Sequence, residues 1–122
     1  MYVYYNANPK GRIINDCTIR AISLAMNISW EEAYYDLSKY ACEQCLMLDD
    51  VNYIDNYLSN RFDRVCFKKK SIDLTVGEFV KKYNKGTYLI TLSGHITCCI
   101  DGIIYDTFNP SNNYVWCAYR VK

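Results

Sequence analysis

The stretch GHITCCIDGIIYDTF, residues 94–108, decides the fold. Two runs rich in Ile, Thr, Cys and Tyr, 95–100 and 103–108, flank Asp101-Gly102. That pair signals a two-residue hairpin, because the turn requires positive φ, which Asp tolerates and Gly adopts freely. With the turn centred there, Ile100 pairs with Ile103 and Thr97 stands opposite Asp106. Side chains alternate along a strand, so His95 shares the face of Thr97 and Asp106 becomes its diagonal neighbour, roughly 7–8 Å away at the backbone. A slip of one residue would turn Asp106 to the other face, which makes the register a sharp expectation.

Outward from the hairpin, 87–92 and 114–121 carry the same strand composition, and the four runs together predict an antiparallel sheet. Upstream the periodicity is helical. Residues 17–27 are apolar on nearly every side, as in a helix buried in the middle of a fold, with Asn15 or Asp16 placed to cap it. Ser29-Trp30-Glu31-Glu32 has capping-box spacing and opens a second helix running to about Ala41. A third is expected from Asp50 to about Asn60, with Ile54, Tyr57 and Leu58 at helical spacing. A short fourth begins at the Thr75-Val76-Gly77-Glu78 box and stops at Asn84-Lys85-Gly86. Helices followed by strands make an α+β domain. Pro9 and Pro110, the two prolines, sit in Asn-Pro turns near the ends, and no repeat or linker interrupts 1–122, so one domain is expected.

Hydrophobic residues are 51% and charged residues 22%, the balance of a globular chain rather than a disordered or fibrous one. The net charge is +1 with both signs interspersed, which gives no field to draw a nucleic acid or an anionic membrane. Lys68-Lys69-Lys70, near Arg61 and Arg64, reads as a solvated strand end. No apolar run approaches the ~18 residues of a membrane span and no basic-then-apolar leader opens the chain, so a cytoplasmic protein is expected. There the seven cysteines stay reduced. Cys42 and Cys45 have the spacing of a zinc or redox pair, yet a closed zinc site needs four ligands and a thioredoxin-like pair follows a strand. Cys98 and Cys99 would point to opposite faces, leaving Cys66 or Cys117 to complete such a set. Buried free thiols are the better reading, the role of Cys42 and Cys45 stays open, and no metal or other cofactor is expected.

Cys17 heads the predicted buried helix, where free N–H groups and the helix dipole favour a thiolate. His95 is the only histidine, and Asp106 is placed by the hairpin to hold its ring. Nucleophile, base and orienting carboxylate are the parts of cysteine acyl transfer.

Asn-Asp-Cys-Thr-Ile-Arg-Ala-Ile-Ser (15–23), Gly-His-Ile-Thr (94–97) and Asp-Gly-Ile-Ile-Tyr-Asp (101–106) together resemble the papain-like cysteine peptidase superfamily, in particular compact bacterial and phage members similar to bacteriocin-leader peptidases. The segment around Cys17 also resembles, locally, the nucleophile motif of ovarian-tumour-type deubiquitinases. The resemblance implies a papain-like α+β fold, with Cys17 at the head of the central helix and His95 and Asp106 on neighbouring strands. It implies a peptidase, isopeptidase or amidase acting on a protein or peptide; deamidation and transglutamination pass through the same acyl-enzyme. The family's upstream glutamine is replaced by Gly11 here, so the oxyanion donor falls to Asn15, with Asn8 and the N–H groups beside Cys17 as further candidates and capping as the other use of Asn15. Arg20 reads as a structural ion pair. The substrate is expected to lie across a shallow groove. The alternative is a non-catalytic, phage-encoded scaffold of the same fold that binds or inhibits a partner.

Overall fold

The computed structural model describes residues 1–50, 53–67 and 74–122, with backbone only at 66 and 67. The elements run β1 (Tyr2–Tyr4), α1 (Cys17–Met26), α2 (Trp30–Glu43), α3 (Ile54–Arg61), β2 (Asp63–Phe67), α4 (Val76–Lys82), β3 (Thr87–Leu92), β4 (His95–Ile100), β5 (Ile103–Asp106) and β6 (Cys117–Arg120). The fold is α+β, as expected. Positions 51 and 52 of the third predicted helix and the Lys68-Lys69-Lys70 cluster lie outside the described residues.

The expected hairpin forms in the expected register, with Cys98 opposite Tyr105 and Ile100 opposite Ile103. Its turn residues have φ of 50° and 79° at Asp101 and Gly102. The Asp101 carboxylate also accepts the Gly86 N–H at 2.8 Å, fastening the turn to the start of β3.

The sheet is mixed, not antiparallel as the sequence predicted, and its order is β1-β5-β4-β3-β6-β2. β1 lies parallel to β5, with Tyr4 beside Asp106, while the other pairs are antiparallel. A parallel neighbour cannot come from a hairpin, and here it comes from the N-terminus, across more than a hundred residues of chain. At three residues β1 is too short for alternation to announce it. β2, also unforeseen, pairs with β6 through a shift in register between Arg64 and Cys66.

Both faces of the sheet are covered. α1, α2 and α3 bury Ile22, Leu37, Tyr57 and Leu58 with Leu89, Ile96 and Cys98 on one side. On the other, Val76, Phe79 and Val80 of α4 meet Tyr88, Ile90, Cys99 and Ile104. Cys98 and Cys99 therefore do enter opposite layers, and every residue of β3 is buried, as in a strand packed on both faces. Tyrosine serves this core. Tyr53, Tyr57 and Tyr119 are almost fully buried, and their hydroxyls donate to Leu48 O, the Asp36 carboxylate and Asp55 Oδ1.

The helix caps bear on the site. α4 has the full reciprocal box between Thr75 and Glu78. α2 is capped by the Ser29 side chain on the Glu32 N–H and runs two residues past Ala41. At the start of α1 the N-cap residue is Asp16, yet its side chain makes no capping bond.

Candidate active site

The N-terminus of α1 lies against the start of β4, which puts Cys17 beside His95. The half-buried thiol of Cys17 interacts with the His95 ring, the Ile96 N–H and the Thr18 side chain. His95 Nε2 lies 2.6 Å from Asp106 Oδ2. Cys17, His95 and Asp106, named from the sequence, thus form one continuous line, with the side chains of His95 and Asp106 only 11% and 2% exposed.

The electrostatics of this line are mutual. Burial would raise the Cys17 pKa, but the hydrogen bond and charge of His95, with the Ile96 N–H, outweigh it and hold the thiol below its ordinary value. Burial would lower that of His95, but the bonds to Asp106 and Cys17 prevail and push the imidazole up to about 9. Asp106 is held below the usual carboxylate range, because its bond to His95 and the Thr107 N–H overcome the penalty of burial. The shifts of Cys17 and His95 both run toward a thiolate beside an imidazolium, backed by a carboxylate.

Behind the line stands a second layer. Asp106 Oδ1 accepts from the Thr107 N–H at 2.7 Å and from Arg20 Nη1 at 3.4 Å. Arg20 Nε donates at 2.7 Å to Asp16 Oδ1, and its Nη1 reaches Thr107 Oγ1 at 3.3 Å. Asp16 Oδ2 accepts from Trp30 Nε1 at 3.0 Å and from Asn8 Nδ2 at 3.3 Å. Arg20 is thus an ion pair, as its position suggested, but one that spans two carboxylates. Asn8 is engaged in this layer, whereas Asn15 is exposed on the rim of the cavity. The Phe108 ring packs on His95 with centroids 4.7 Å apart.

A cavity of about 620 Å³ opens over Cys17 and His95, larger than the shallow groove expected. Met47 to Asp50 and Tyr53 to Asp55 also line it, bringing Asp49, Asp50 and Asp55 to the cavity, as does Trp116. Sequence reasoning missed this lining, the Phe108 cover and the second role of Asp16. For Asp16 a signal existed in its four-residue spacing to Arg20, the separation at which charged side chains meet on a helix.

Cys42 and Cys45 are both exposed at the end of α2, and Cys45 has φ of 58°. Among the described residues no helix is long and apolar enough to cross a membrane. Compared with family models, curated proteins and solved structures, the chain finds no match in any of the three.

Proposed function

We propose that this chain is a papain-like cysteine acyl-transfer enzyme, a peptidase, isopeptidase or amidase acting on a protein or peptide. The observation that carries the reading is the contact of His95 with both partners at once: Asp106 Oδ2 at 2.6 Å from Nε2, and the Cys17 thiol on the same ring.

In this mechanism the Cys17 thiolate attacks the substrate carbonyl carbon, and the π electrons pass to oxygen. The oxyanion accepts from free N–H groups in the first turn of α1, which the Asp16 side chain leaves uncapped, with the Asn15 amide at the rim. As the C–N bond breaks, the imidazolium of His95 protonates the departing amine, leaving a thioester on Cys17 and a neutral imidazole. Water then gives a proton to His95 and adds to the thioester; collapse expels the Cys17 thiolate and frees the acid. Throughout, Asp106 keeps the ring oriented and stabilises its charged form.

Limiting iodoacetamide, applied to the folded protein across about pH 5 to 9 and read at each cysteine by mass spectrometry, tests the pair. Cys17 should label far faster than the other cysteines, keep that advantage at low pH, and lose it in His95→Ala. Slow, unselective labelling that the mutation leaves unchanged would instead favour a scaffold that acts by binding a partner.

A further inference from the structure

One arginine joins the two ends of the candidate site. Arg20 sits one turn into α1, its side chain 11% exposed, between carboxylates that are 3% and 2% exposed. With the Cys17–His95 pair in its charged form, the formal charges alternate from Asp16 to Cys17: Asp16 negative, Arg20 positive, Asp106 negative, His95 positive, Cys17 negative. Such a row is favourable at low local dielectric only while every member is present, since an unpaired buried charge is costly.

Its geometry matters as much as its charge. Asp16 occupies the N-cap position, where an aspartate ordinarily turns its carboxylate onto the N–H groups of the first turn. Here φ and ψ are −116° and 24°, outside the extended region of a usual N-cap, and the carboxylate is turned onto Arg20, Trp30 and Asn8. Arg20 supplies the one charged bond of the three, and the shortest, at 2.7 Å. On its other side it holds Asp106 Oδ1, so that Oδ2 is the oxygen presented to His95.

Building on the acyl-transfer reading above, we propose that Arg20 is a positioning residue: by bridging Asp16 and Asp106, it keeps an acidic cap off the first turn of α1, leaving those N–H groups for the substrate oxygen, and fixes the carboxylate that orients His95. Without Arg20, Asp16 is released to cap the helix, filling the oxyanion site and bringing negative charge beside the nucleophile. The other charged or titratable groups around Cys17 are His95 of β4, Asp106 of β5, and Tyr53, Asp49, Asp50 and Asp55 on the cavity lining.

The test is the pH profile of Cys17 alkylation in the wild type, Arg20→Met, Arg20→Lys and each of these combined with Asp16→Ala, with thermal unfolding alongside. Arg20→Met should move the labelling midpoint up by about one pH unit, roughly a tenfold loss of rate at any pH well below the wild-type midpoint. Arg20→Lys, whose single ammonium cannot span both carboxylates, should move it part of the way. Adding Asp16→Ala to either should bring the midpoint back toward the wild type, because the carboxylate that would cap the helix is gone. A purely structural role predicts a lower unfolding temperature with the midpoint unmoved, and further damage from the second substitution; that result overturns the proposal. Should Arg20→Met fail to fold, the Arg20→Lys pair decides by the same criterion. If wild-type Cys17 shows no selectivity dependent on His95, the acyl-transfer reading falls and this inference with it. Selective wild-type labelling with unchanged Arg20 profiles removes this inference alone.

Discussion

Asp106 divides its two oxygens between two tasks: Oδ2 takes the His95 ring at 2.6 Å, while Oδ1 takes the Thr107 N–H and Arg20. Replacing Asp106 with Asn keeps the shape and removes the charge. Burial then acts on His95 with less to oppose it, so the imidazole value, now about 9, should fall by at least a unit. Cys17 loses the partner cation over the same range. Alkylation of Cys17 should therefore slow between about pH 8 and 9, where His95 has lost its proton in the variant and keeps it in the wild type, and turnover of any substrate found should fall by about 10² to 10⁴, since an amide also favours the wrong ring tautomer. Equal alkylation rates across about pH 8 to 9 in Asp106→Asn and the wild type would mean that the carboxylate does not hold the pair charged. His95 and Asp106 were legible in the sequence because one hairpin fixes both. The withdrawal of Asp16 from its helix was not, since it depends on Trp30 of α2 and Asn8 of the N-terminal segment, and no local pattern records those contacts.

At the level of elements, the β4–β5 hairpin aligns two of the three residues, and its turn carries that duty. Gly102 has φ of 79°, and a Cβ there would come 3.4 Å from the Asn84 side chain and 3.5 Å from the Val80 carbonyl. Gly102→Ala should therefore destabilise the protein by roughly 1–2 kcal/mol in a urea titration, from a strained positive φ. Register is also held by the pairing of β4 with β3 along its full length, so the folded fraction should keep Cys17 as the most reactive thiol. Loss of that selectivity in the folded fraction would mean that the turn alone sets the register. The long strands and capped helices could be read because their signals are local: Asp-Gly, Thr75 with Glu78, and alternation or helical spacing. β1 and β2 escaped because they are short edge strands. The lining from Met47 to Asp50 escaped because a segment shaped by what it packs against has no period of its own.

Over the whole molecule, the charged line makes stability depend on pH in a way that exposes its coupling. The His95 value is raised from 6.5 to about 9, so its contribution is fully present below pH 6.5 and is lost as pH rises through about 9. Cys17 is shifted the other way, down from 9.0, so its contribution is complete above pH 9.0 and is lost as pH falls through the lowered value. Between them the folded pair moves a proton from sulfur to nitrogen without a net exchange with solvent. The two slopes therefore oppose each other from the lowered Cys17 value up to about pH 8.5, and over that range the wild type should show a flatter stability profile than a variant lacking the thiol. Cys17→Ala removes one side of this balance. His95 keeps its bond to Asp106, although without the thiolate its value lies below about 9, and the variant should lose roughly 1–3 kcal/mol over the same range. Adding His95→Ala should flatten the profile again. The range ends below the ordinary thiol value of 9.0, above which the buried thiols of Cys98 and Cys99, both pushed up by burial, add an alkaline loss of their own. Urea titrations of the wild type, the single variant and the double variant at half-unit steps would resolve these slopes. If the wild type and Cys17→Ala fall together with pH, the sulfur carries no charge in the folded protein, and a neutral thiol hydrogen-bonded to His95 replaces the ion pair.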